Sequence, residues 1–136
     1  MTQAQMFDHL PLIFGGLFLA ILFVQSGIDK VTDWSGNIDW LSGHFAKSFL
    51  SGMVAPLLIV LTVMELATGI ASTIGVIHFL VSGTATVLFY ASIVGAATLT
   101  ALFFGQRVAK DYPGAAVIVP YFILDLTVIY LSAPVR

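Results

Sequence analysis

Residues 79–104 read FLVSGTATVLFYASIVGAATLTALFF, a stretch without a single Asp, Glu, Lys, Arg or His. Wound as an α-helix rising ~1.5 Å per residue, it is long enough to cross a hydrocarbon core ~30 Å thick. Lipid offers no partner to an open backbone N–H or C=O, so a crossing segment of this kind must close its hydrogen bonds within itself. An uninterrupted apolar run also argues against a porin-like barrel, whose strands alternate apolar and polar residues over ~10 positions.

Three further runs share this character. Leu10 to Ile28 holds Gln25 as its one strongly polar residue. Val54 to Ile77 is interrupted by Glu65, and Ala115 to Leu131 contains Pro120 and Asp125. His78 falls between the second and third runs and reads as a tight connection. The sequence therefore predicts an all-α integral membrane four-helix bundle, a single domain over residues 1–136, with helices at about 10–28, 54–77, 79–104 and 115–131. Composition agrees. Apolar residues make up 59% of the chain and charged residues 9%, against about 25% charged in a soluble domain. A small globule has much surface for its volume, and so few charges could not keep that surface in water.

The first run reads as a retained helix. Met1 to Pro11 has no Lys or Arg, and no Ala-x-Ala-like site follows the run, as a cleaved signal peptide would require. A net charge of −2 gives no reason to expect nucleic acid as a partner. With no cysteine, the chain has no disulfide, thiolate zinc site, cysteine-ligated iron–sulfur cluster or covalent c-type haem. His9, His44 and His78 lack the helical spacing of a metal pair, so no metal site is expected.

Between the first two runs lies a polar stretch, about 29–53, rich in residues suited to the membrane–water interface: Trp34, Trp40 and Phe45 beside Asp29, Lys30, Asp33, Asp39, His44 and Lys47. Asp33 to Asn37 reads as a turn. Ile38 to Phe49 reads as a short surface helix, with Trp40, Leu41, Phe45 and Phe49 on one face. Gly16 with Ala20, and Ser92 with Ala96 and Thr100, repeat small residues at four-residue spacing, which lets helices approach closely. Internal packing is the simpler reading of these stripes; a dimer face is the other. The loops after the first and third helices share a side and carry Lys30, Lys47, Arg107 and Lys110, against Arg136 on the other. The positive-inside rule then puts both larger loops in the cytoplasm and both termini outside.

Glu65 and Asp125 are the informative polar residues. A carboxylate at a helix centre costs roughly 2.5–3.5 kcal/mol on insertion scales, so such residues usually face the bundle interior and have partners. Their helices run in the same direction, which places the two acids at similar depth. If they met, both could not comfortably ionise together. Tyr121 lies one turn before Asp125 and shares its face. Glu65, Asp125 and Tyr121 form a candidate intramembrane polar site for a proton or a quinol, with an interhelical packing bond as the alternative. Gln25, Asp29 and Lys30, together with Arg107 and Lys110, form a candidate interfacial polar cluster. The competing reading there is simple anchoring, with Lys30 snorkelling to the surface.

Three stretches resemble the DoxX family of small four-helix bacterial membrane proteins. They are Gln25-Ser26-Gly27-Ile28-Asp29-Lys30-Val31, Glu65-Leu66-Ala67-Thr68-Gly69 and Lys110-Asp111-Tyr112-Pro113-Gly114-Ala115. The likeness covers nearly the whole chain, although Asp125 stands outside the pattern. It implies the bacterial cytoplasmic membrane as location. It also implies an accessory or quinone-associated subunit of a membrane redox complex, not catalytic on its own, with the lipid bilayer and other redox subunits as partners. No cofactor is evident from the residues, and a bound quinone is the one the resemblance allows. Two other readings stay open: a small-solute or proton transporter acting as a homo-oligomer, and a structural scaffold.

Overall fold

In a computed structural model of the chain, which describes residues 2–134, the helices are α1 (Gln3–Asp8), α2 (Leu10–Thr32), α3 (Trp34–His44), α4 (Val54–Ser82), α5 (Thr86–Val108) and α6 (Tyr112–Ser132). No strand occurs among the described residues. Helices α2, α4, α5 and α6 are each long and apolar enough to cross a membrane, which makes this an all-α, multi-pass membrane protein. Arg136, the cation assigned to the far side, lies outside the described residues.

Helix α2 packs against α4 and α6, and α5 packs against the same two, so α4 and α6 face each other diagonally. Leu12, Leu19 and Phe23 of α2 meet Val76 and Phe79 of α4, Leu88 and Leu99 of α5, and Val128 of α6 in the core. Large side chains such as Phe14, Phe18, Ile21, Ile59, Val63 and Ile70 point outward and are exposed. In water such surface would be a liability; against lipid tails it is the matched face.

Glycines set the helix spacing. A Cβ on Gly69 would lie 2.6 Å from the backbone nitrogen of Val24, and one on Gly75 would lie 2.8 Å from Leu88 Cα. Both approaches meet backbone, which cannot move aside as a side chain can. Gly16 and Ala20 are buried, as internal packing predicts. The stripe on α5 does not hold as a unit: Ser92 is buried but Thr100 is exposed.

These contacts also fix the register of α2 and α4. Gly16 faces Val76, Val24 faces Gly69, and Gly27 faces Leu66. Counting on from this register, the start of α4 at Val54 overshoots the end of α2 by about seven residues, or roughly 10 Å. Helix α3 folds back over this overhang.

The helix ends differ from the apolar runs throughout, and α5, expected over 79–104, runs from Thr86 to Val108 because the chain turns at Gly83. Helix α2 continues past Ile28 to Thr32, so Asp29 and Lys30 are helical. His78 is inside α4, and the tight connection comes later, at Gly83, whose φ of 75° gives α4 a left-handed cap. The stretch 33–37 is no free turn. It opens α3, with Asp33 as N-cap and its carboxylate occupying the space a Cβ on Gly36 would fill. The surface helix consequently ends at His44, and Phe49 lies beyond it. Pro113 and Gly114 open α6 rather than close a loop. Proline in the first turn lacks only an N–H that would be unpaired anyway, and Asp111 caps the helix by accepting from Gly114 N at 2.9 Å.

Candidate functional site

The last turn of α2 places Lys30 beside Ser26, one turn earlier, and Lys30 Nζ donates to Ser26 Oγ at 3.1 Å. The same ammonium lies 3.0 Å from Glu65 Oε2 across the α2–α4 contact. Glu65 is 1% exposed and Lys30 16%. Their approach is close but not aligned as a directed hydrogen bond, so both Glu65 oxygens are without a hydrogen-bond donor. The pair is thus an ionic contact with unspent acceptor capacity on a buried carboxylate.

Glu65 borders a cavity of about 310 Å³, with Ser26, Lys30, Gln106 and Tyr121 as its other polar residues and Leu22, Phe23, Leu99, Leu102, Val117 and Ile118 around them. A second cavity of about 390 Å³ lies where α3 covers the α4 overhang. Trp40, Leu41 and Phe45 form one wall, and Leu58, Leu61 and Met64 another. It is almost wholly apolar. Lys30, Leu102 and Gln106 border both cavities. Two mainly apolar cavities therefore adjoin, the smaller one bordered by the Lys30–Glu65 pair, with an ammonium and an amide at the boundary.

Helix α3 is fastened over the apolar cavity by a small polar group. His44 Nε2 donates to Gln106 Oε1 at 2.8 Å and lies 3.7 Å from Asp111 Oδ2. Its ring stacks on Trp40, with centroids 4.5 Å apart and planes at 19°. Phe45 reaches Gly105, where a Cβ would stand 3.5 Å from its ring.

Asp125 sits elsewhere. It is fully buried, and neither oxygen has a hydrogen-bond partner. A Cβ on Gly95 would lie 3.0 Å from Asp125 Oδ1 and 3.2 Å from Thr68 Cγ2, so the carboxyl and Thr68 both crowd the bare backbone of α5. Asp125 lines neither cavity.

The structure thus divides the expected intramembrane site. Glu65 and Tyr121 border one cavity; Asp125 belongs to a separate layer, and no hydrogen bond joins the two acids. Matching the direction of α4 and α6 put both acids at one depth. It missed that Glu65 turns toward α2 whereas Asp125 turns toward α5. The interfacial five are not gathered either. Lys30 points inward to Glu65, while Gln25 and Asp29 are exposed on the outer side of α2. Arg107 is exposed and covers the Tyr112 ring at 4.5 Å, and Lys110 is exposed in the α5–α6 connection at φ 60°. Ser26 and Gln106 were not among the candidate site residues, and His44 was weighed only as an interfacial residue and a metal ligand. Ser26 had a usable signal, one turn before Lys30; Gln106 was read as loop because α5 was ended too early.

Compared with family models, with curated proteins and with solved structures, the chain gives no significant match.

Proposed function

We propose that this protein is a DoxX-like, quinone-associated subunit of a membrane redox assembly, and that the Lys30–Glu65 boundary is its head-group site. The observation that carries the reading is the pairing of the two cavities. A quinone is a polar ring on an apolar isoprenoid tail, and the chain offers a cavity bordered by Lys30, Glu65, Gln106 and Tyr121 that shares lining residues with a larger apolar one. The residues fit the group chemically. Lys30, Gln106 and Tyr121 present donors suited to carbonyl oxygens, and Glu65 presents acceptors without donors, suited to the hydroxyls of the reduced ring. Trp40, Leu41, Phe45 and Leu58 would hold the first tail units. A bound quinone would supply electron and proton uptake; the side chains orient its ring, exclude water and hold a proton at Glu65.

Residues of the three stretches that carry the resemblance meet at one end of the bundle. Lys30 and Glu65 belong to two of these stretches, and they are ion-paired. Asp111, in the third, reaches His44 at the same end of the bundle. We extend the reading to the bacterial cytoplasmic membrane, with the loops after α2 and α5 inside.

Trp40 is a built-in reporter, since it lines the apolar cavity. Titrating the purified protein in lipid nanodiscs with a short-chain quinone should quench its fluorescence saturably. Glu65→Gln should weaken the half-saturation point about tenfold, the equivalent of ~1.4 kcal/mol. Linear, unsaturated quenching that is the same in both proteins would mean partition into lipid and no site. Gentle-detergent purification from the native membrane, with extraction of quinone and mass spectrometry of co-purifying chains, checks the assembly.

A further inference from the structure

Asp125 is the one buried acid the proposed site leaves unused, and its surroundings are polar. Thr68 and Thr98 are fully buried, with hydroxyl oxygens 3.5 Å apart. Thr68 donates to Met64 O at 2.7 Å and Thr98 to Val94 O at 2.8 Å, so each hydroxyl proton is committed and a lone pair is left. Ser72, one turn beyond Thr68 on α4, is fully buried with its Oγ unpartnered. Thr68 and Asp125 thus both crowd Gly95, Thr98 meets Thr68, and Ser72 lies one turn beyond. An apolar core has no need of them, and each burial carries a desolvation cost.

Thr68, Thr98 and Asp125 do not line the cavity of Glu65, but each lies within one helical turn of a residue that does. Thr68 is three residues from Glu65 and so shares its face of α4. Thr98 is adjacent to Leu99, which lines that cavity, and Asp125 is one turn from Tyr121, which lines it too. We propose that Asp125 is a proton-binding site that exchanges with the cavity through the Thr68–Thr98 seam. A proton fits better than a metal cation. The α5 backbone at Gly95 crowds one side of the carboxyl, and among the described residues no group of three His, Asp or Glu could hold a metal ion. The charged and titratable groups around it are few. Helix α6 itself contributes Tyr121, α4 contributes Glu65, α2 contributes Lys30 beyond Glu65, and α5 presents only Gly95 and Thr98 at this level. The step is simple protonation: an O–H forms on the carboxylate as the proton arrives from the cavity, and breaks as it returns.

The test uses infrared difference spectroscopy of the full chain in lipid, without quinone, so that it stands or falls apart from the quinone site. Titration from alkaline to mildly acidic pH should bring up a carboxylic acid band that is absent in Asp125→Asn and kept in Glu65→Gln. The band should shift in D₂O, and Thr98→Val should slow that exchange several-fold. If Asp125→Asn does not fold, ¹³C-aspartate labelling of the unmodified chain assigns the band by its isotope shift. An Asp125 band constant at every pH, or one that never exchanges, overturns the proposal and leaves a permanently neutral packing group. So does a band that sodium removes at fixed pH, which would identify a cation site.

Discussion

Replacing Lys30 with methionine keeps a four-atom unbranched stem and deletes the ammonium 3.0 Å from Glu65. Glu65 is 1% exposed and cannot turn to water. Breaking a buried pair by removing one partner costs about 3–5 kcal/mol. Lys30→Met should therefore lower stability by about 3–5 kcal/mol. The reverse deletion is gentler. In Glu65→Gln the lysine, already 16% exposed, can extend to the interface, so that variant should cost only about 1 kcal/mol. Combining both should recover most of the loss. The assay is reversible SDS unfolding in mixed micelles, followed by the fluorescence of Trp34 and Trp40. A Lys30→Met protein as stable as the parent, or a double variant no better than Lys30→Met, would show that Lys30 is not what neutralises Glu65.

Three other outcomes follow from the geometry. Gly69→Ala should cost about 1–3 kcal/mol or more, because its methyl would meet the Val24 backbone. Gly43→Ala on α3, with nothing within 4 Å, should be neutral or stabilise by up to about 1 kcal/mol, and the two melts together check the packing register. Asp111→Ala removes the α6 cap and the His44 contact together, and a loss of about 1 kcal/mol is expected in the same unfolding assay. Because the chain has no cysteine, single substitutions give clean labelling: Ser51→Cys and Ala109→Cys should react with an impermeant maleimide from one side of sealed vesicles, and Thr84→Cys from the other. Labelling of Ser51→Cys and Ala109→Cys from opposite sides would refute the bundle topology.

The spans were legible because a bilayer leaves a chain few options: long apolar runs must be helices. Their ends were less so, because the apolar run is not the helix. Lys30 is helical and meets Glu65 across the α2–α4 contact, which no local pattern reveals. The partnership also defeats depth counting. Measured from Val54, Glu65 is eleven residues in, roughly 16 Å deep, whereas Lys30 is two residues from the end of α2. The two meet only because α4 starts well outside α2. Glu65 and Tyr121 were recognisable as unusual residues for a membrane interior; that they share a cavity with Gln106, and that Asp125 does not, depended on which way each helix is turned.

The overhang of α4 has a consequence for the lipid. Its 29 residues would measure about 43 Å along the axis, well beyond a ~30 Å hydrocarbon layer. The projecting part is itself greasy, with Leu57, Ile59 and Val60 exposed. Hydrophobic mismatch of this size is met by tilt or by local thickening. Either response draws lipid tails up along α4 past the level where α2 ends. Lys30 then lies beneath the local membrane surface although it is near the end of its own helix. Bilayer thickness becomes a control on the Lys30–Glu65 chamber: a thinner membrane would bring water closer to the pair, and a thicker one would seal it.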